Sequence, residues 1–231
     1  MTSVTADVSA VASGHAAVPL AAGTYTVEGV AYGYASGPVT ADATLLPGSY
    51  GYSLALSDAA GNATVQGGFA VLVDAAPPAG ADVQTANGGS VVGRAEAGDT
   101  ITFTYTERID PASILAGWTG GPTTVTVRLL GNAGGDRVQV WDAANTLQLP
   151  FGSVDLGRTD YTRNNRRFSG STMVQAGSSV TITLGTPSGA VTTAAGAGTM
   201  TWTPSSAAYD AAGNPCLTTP AIESGPADRE F

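Results

Sequence analysis

Two groups of residues have the types and spacing to do chemistry. The first is basic. Gly157-Arg-Thr-Asp-Tyr-Thr-Arg-Asn-Asn-Arg-Arg-Phe168 packs Arg158, Arg163, Arg166 and Arg167 into one short segment. Guanidinium forks take carboxylates bidentately, so one use of this loop is docking against an acidic surface. Tyr161, Phe168 and Asn165 beside the arginines also suit a sugar, held by ring stacking and paired hydrogen bonds. The plainer use is a solvated loop whose arginines pair with Asp155 and Asp160. The second group is acidic. Asp58-Ala-Ala-Gly-Asn62 recurs as Asp210-Ala-Ala-Gly-Asn214. Ca²⁺ takes six to eight oxygen ligands, and Asp58 with Asn62, or Asp210 with Asn214, offers part of such a shell. Neither copy matches the twelve-residue calcium loop. A tight turn accounts for both: Asp accepts backbone N–H groups, the alanines take helical dihedrals and Gly the left-handed one.

Other chemistry finds less support. His15 is the sole histidine and lies in Ser13-Gly14-His15-Ala16-Ala17, with no Gly-x-Ser-x-Gly elbow anywhere. A multi-histidine metal site is impossible within one chain. The acids are dispersed at turns rather than paired for a glycosidase-type cleft. One cysteine, Cys216, excludes an intrachain disulfide and leaves a free thiol or half of an intermolecular bridge. The expectation is a protein that is not an enzyme and needs no cofactor, with Ca²⁺ the one candidate ion.

The charge distribution narrows the partners. The 231 residues carry a net charge of −9, and all nine cations are Arg. Residues 1–76 hold Asp7, Glu28, Asp42, Asp58 and Asp74 and no cation. Nucleic acid and anionic membrane surfaces both require cations to displace counterions, so neither is an expected partner. No run approaches the roughly 18 apolar residues of a membrane helix. Without Lys there is no isopeptide crosslink. No secretory leader is visible at Met1, so an exported protein would carry one on a longer precursor.

The elements that position these residues read as strands throughout. Tyr25 to Tyr34 mixes aromatic and β-branched residues. Tyr50, Tyr52, Leu54 and Leu56 share one face at period two, and Ala63 to Val73 follows the first Asp-Ala-Ala turn. Asp74-Ala-Ala-Pro-Pro-Ala-Gly80 reads as a linker, with Pro77 and Pro78 holding it extended. Beyond it, Ile101, Phe103 and Tyr105 alternate with threonines. Residues 123–130, 137–141, 179–184 and 199–203 continue the strand pattern. Asp110-Pro111 starts a short helix ending near Gly117. Trp118, Trp141 and Trp202 fall in or beside apolar elements and read as core. Strands at roughly ten-residue spacing, separated by Gly and Asp/Asn turns, imply an all-β fold of two sandwiches. The expected layout is a domain over 1–76, a linker over 77–80 and a larger domain over 81–231.

These residues carry a family resemblance. Strand–Asp-Ala-Ala-Gly-Asn–strand ending in Val-Leu-Val-Asp-Ala-Ala-Pro-Pro resembles the end of a bacterial Ig-like repeat. Ala97-Gly98-Asp99-Thr-Ile-Thr-Phe-Thr-Tyr-Thr-Glu107-Arg-Ile-Asp110-Pro111, closed by Asp210 to Asn214, is similar to a second bacterial Ig-like type. High Gly, Ala and Thr with Arg in place of Lys resembles an actinobacterial protein. The second module is enlarged, and residues 131–176 are expected to hold an extra hairpin or long loops. The resemblance implies tandem Ig-like domains of a large extracellular or cell-surface protein. Their role would be structural or adhesive: a stalk, spacer or surface-fibre building block, in contact with neighbouring repeats or copies of itself. Two alternatives are a carbohydrate- or host-surface-binding module using the 157–168 loop, and a phage virion decoration or tail-fibre protein.

Overall fold

Threonines alternate with apolar residues along much of the chain, and such stretches form strands because β-branched side chains fit a pleated, half-buried surface. The computed structural model describes residues 3–27 and 30–231. It is almost wholly β and divides into two units, Met1–Ala75 and Ala76–Phe231.

The first unit contains β1 (Ser3–Asp7), β2 (Val18–Pro19), β3 (Ala21–Val27), β4 (Val30–Ala35), β5 (Gly48–Ser57) and β6 (Ala63–Val73). Four of these make an antiparallel sheet in the order β2-β1-β5-β6, and β3 and β4 form a separate two-stranded sheet. The strand-like stretch from Tyr25 to Tyr34 contributes to two antiparallel strands, with Val27 paired to Val30; Glu28 and Gly29 lie outside the described residues. On β5 and β6, Tyr52 stacks on Phe69 with ring centroids 5.2 Å apart. The register then shifts by one residue beside Gly68, whose φ of 88° is a conformation that glycine adopts without strain. Among the described residues of this unit, the buried apolar side chains are Val4, Ala6 and Ala12.

The second unit contains β7 (Gly80–Ala86), β8 (Thr100–Tyr105), α1 (Pro111–Ile114), β9 (Thr123–Leu130), β10 (Arg137–Asp142), β11 (Ser153–Asp155), β12 (Arg166–Ala176), β13 (Ser179–Thr183), β14 (Thr186–Pro187), β15 (Thr201–Thr203) and β16 (Ala221–Ile222). The ladder runs β16-β15-β11-β10-β9-β12-β13-β8-β7, with β14 attached to β12. This sheet curls until its ends meet. Gln84 Nε2 on β7 donates to Ser224 O at 2.9 Å, and Ser224 Oγ donates to Asp82 Oδ2 at 2.8 Å. Strands from opposite ends therefore face each other across a common core in a sandwich-like arrangement. Phe103 meets Phe151 at 4.8 Å and Trp202 at 5.1 Å, and Tyr105 meets Trp202 at 4.9 Å. Trp202 Nε1 donates to Phe151 O at 2.6 Å, so the largest buried side chain leaves no orphan donor.

Two sequence expectations change in detail. The 77–80 linker is not a free connector. Pro78 is buried and its carbonyl accepts Leu217 N at 2.8 Å, Ala79 exchanges bonds with Thr106, and Gly80 already belongs to β7. Proline still accepts through its carbonyl, which lets this segment seal the second unit. The helix is one turn only. Asp110 caps it by accepting Ala112 N at 3.0 Å, but Leu115 turns extended before Gly117, at φ 78°.

Candidate functional site

The 157–168 segment is held by its own contacts. Arg158 forks onto Asp160, Nε to Oδ1 at 2.8 Å and Nη2 to Oδ2 at 2.6 Å, while Ala195 N donates to the same carboxylate at 3.0 Å. The hydrogen bonds from Arg158, opposed by partial desolvation, hold the Asp160 carboxyl down to about 2. Tyr161 is fully buried. Its hydroxyl accepts Glu230 N at 2.7 Å, and its ring meets Phe231 edge-on at 6.2 Å. It therefore presents no face to a sugar, and neither does buried Phe168. Asn165 Oδ1 accepts Gly131 N at 3.1 Å, and Arg166 donates to the carbonyls of Ala190 at 2.8 Å and Asn165 at 3.2 Å. Arg163 and Arg167 remain exposed.

The structure brings other groups toward Arg167. Period-two alternation sends Val138 and Val140 of β10 and Val125, Val127 and Leu129 of β9 into the core, and Arg137, Gln139, Trp141 and Arg128 to the outer face. Trp141, expected in the core, is half-exposed there because it falls on the odd phase of β10. The Arg128 guanidinium lies 3.4 Å from the centroid of its ring. Asn145 fixes that guanidinium, accepting Nε at 2.7 Å through its side chain and Nη2 at 3.0 Å through its carbonyl. Beside this face, Arg137, Arg158, Asp155, Ser153, Thr201 and Thr203 line a shallow polar depression of about 560 Å³.

Both suspected calcium motifs are self-satisfied turns. Asp58 Oδ1 accepts Ala60 N and Asn62 N at 2.9 Å each, and Oδ2 accepts Asn62 Nδ2 at 2.8 Å. Asp210 repeats the geometry, Oδ1 accepting Asn214 N and Oδ2 accepting Asn214 Nδ2, both at 2.8 Å. Gly61 and Gly213 occupy the left-handed position at φ 85° and 88°. A third copy went unread in the sequence. In Asp142-Ala-Ala-Asn145-Thr146, Asp142 accepts Thr146 N at 2.6 Å and Leu147 N at 3.0 Å, and Asn145 takes the left-handed position at φ 59°. The repeated Asp-Ala-Ala triplet was its signal, masked by Asn standing in for Gly.

Further acids serve loops. Asp99 is completely buried and accepts Gly88 N at 2.9 Å, Gly89 N at 2.8 Å and Glu96 N at 2.6 Å. Asp136 accepts Asn132 N at 3.1 Å and Thr162 N at 3.0 Å, tying the start of the arginine loop to β10. Cys216 is buried and burial pushes its thiol up to about 11, so it is a poor nucleophile. His15 lies on an exposed turn with Nδ1 3.1 Å from Ser13 O. No family model, curated protein or solved structure matches the chain.

Proposed function

We propose that the chain is a non-enzymatic, extracellular structural or adhesive module of Ig-like design, working through contacts with neighbouring repeats or copies of itself. The observation that carries this reading is the contrast between the two units. The second closes an aromatic core. The first buries Val4, Ala6 and Ala12 yet exposes Val27, Val30, Tyr32, Tyr34, Val65 and Leu72, from 38% for Tyr34 to 73% for Leu72. Large apolar side chains exposed on both of its sheets fit surfaces meant to be covered. Among the described residues, β6 is an edge of its sheet, and its eleven residues include no charge and no proline, the usual protections of an edge. The self-satisfied Asp-Ala-Ala turns fit a rigid scaffold rather than a reactive centre. Sedimentation of the full chain over a wide concentration range tests the proposal. Concentration-dependent association is expected, and a strict monomer up to high concentration overturns contact between copies as its mode of action.

A second reading has its own observation, the polar depression with Arg137, Arg158, Ser153, Thr201 and Thr203 at its surface. Hydroxyl and guanidinium groups in that arrangement suit a saccharide. Titration calorimetry against a glycan panel would register binding that is lost in Arg137→Ala.

A further inference from the structure

The second unit gathers guanidinium groups that no carboxylate neutralises. Among the described residues the ion pairs are Arg94–Glu96, Arg137–Asp155 and Arg158–Asp160. Arg128, Arg163, Arg166 and Arg167 have no such partner, and the fold sets two of them, Arg128 and Arg167, side by side on the outer face. β12 runs antiparallel to β9 with Arg167 opposite Arg128 and Arg166 opposite Leu129, and Arg163 lies in the loop leading into β12. Like charges directly opposite on a sheet face destabilise it. This chain, at −9 with nine cations in all, nevertheless places two of them in register. Arg128 is also fixed before any ligand arrives, set over the Trp141 ring and held by Asn145, whose left-handed backbone belongs to the Asp142 turn. A guanidinium held this way loses little freedom when it takes a carboxylate.

We propose that the outer face around Arg128, Trp141 and Arg167 is the docking surface for the acidic first unit of a second copy of this chain. The inference rests on the reading above that copies contact one another, and it names the surface. Charge complementarity selects the occupant: residues 1–76 carry five acids and no cation, whereas every arginine lies in the second unit. Arg and Trp are also the residues enriched at interface centres. Exposed ion pairs are individually weak, so charge sets orientation while the Trp141 ring and the exposed apolar residues of the first unit supply contact area. The two faces differ, so the contact is heterologous and builds an open filament, or a ring if its rotation closes.

Sedimentation velocity at low and moderate salt tests this with three full-length chains: wild type, R128Q/R167Q, and E28Q/D42N/D58N. Wild type should associate at low salt and weaken as salt rises. Each variant alone should self-associate about tenfold more weakly. Their equimolar mixture should form a discrete dimer, because one supplies an intact first unit and the other an intact arginine face. Arg167→Gln alone, which leaves Trp141 and Asn145 untouched, guards against a loss of folding and should show the same direction of change. Variants that associate like wild type, or a mixture no stronger than either component, overturn the arginine face while leaving contact between copies intact. A wild-type chain that is monomeric at both salts removes the broader reading and this inference with it.

Discussion

Glu230 and Glu223 face each other inside the second unit, and no N–H or hydroxyl of the described residues reaches the Oε1 of either carboxyl. Glu230 Oε2 accepts the Thr85 hydroxyl at 2.7 Å, and that same hydroxyl oxygen accepts Phe231 N at 3.1 Å. The pair thus joins the last residues of the second unit to β7. Two buried carboxylates in contact cannot both ionise cheaply, so they share a proton. Burial first, then the charge of Glu223, pushes Glu230 up to about 8.

The pH dependence has a definite sign. The folded pair holds a proton that the unfolded chain releases near the ordinary glutamate value of 4.5. Stability from this pair is therefore full below about 4.5 and falls as pH rises toward about 8. Glu230→Gln cannot ionise and should flatten that slope. Thermal unfolding from pH 5 to about 9 checks it, and equal slopes in both proteins would show that the pair does not share a proton.

The Asp-Ala-Ala turns should behave as structure. Asp210→Ala removes acceptors for two donors of Asn214 and should lower the stability of the second unit by about 1–3 kcal/mol. Asp210→Asn, which keeps an acceptor oxygen, should lose less. Millimolar Ca²⁺ should leave the melting temperature unchanged, because the carboxylate oxygens already receive N–H groups. A Ca²⁺-dependent rise that Asp58→Ala or Asp210→Ala abolishes would make these turns ion sites.

Trp202 and Trp141 should separate cleanly on mutation. Trp202 is fully buried with its N–H bonded to Phe151 O, so Trp202→Ala should cost about 3–5 kcal/mol. Trp141 lies on the outer face under Arg128, and Trp141→Ala should cost about 1 kcal/mol. Chemical denaturation measures both, and comparable losses would mean that Trp141 is part of the core.

The two units should melt separately. The first has little buried apolar surface, and buried apolar surface is what drives folding. It should unfold at lower temperature, giving two calorimetric transitions in dilute solution and convergence as concentration rises and copies cover it. One transition at every concentration would contradict independent units.

The fold class was legible from local pattern alone. Ile101, Phe103 and Tyr105 alternating with threonines become β8 with alternate burial, and the 123–130 stretch is β9 as read. Local chemistry also determined the turns: Asp, two alanines and a left-handed residue satisfy one another within five positions, so no distant contact is needed. What lay beyond local reach was decided by tertiary structure. Tyr161 and Trp141 are both aromatic residues beside arginines. The path of the chain puts Tyr161 under Glu230 and Phe231, sixty-nine and seventy residues away, while strand phase turns Trp141 outward beneath Arg128. Arg128 and Arg167 are thirty-nine positions apart, and only the β9–β12 register sets them face to face. Glu223 and Glu230 likewise become a proton-sharing pair only when the curled sheet closes over them, because burial, not spacing, makes two carboxyl groups compete for one proton.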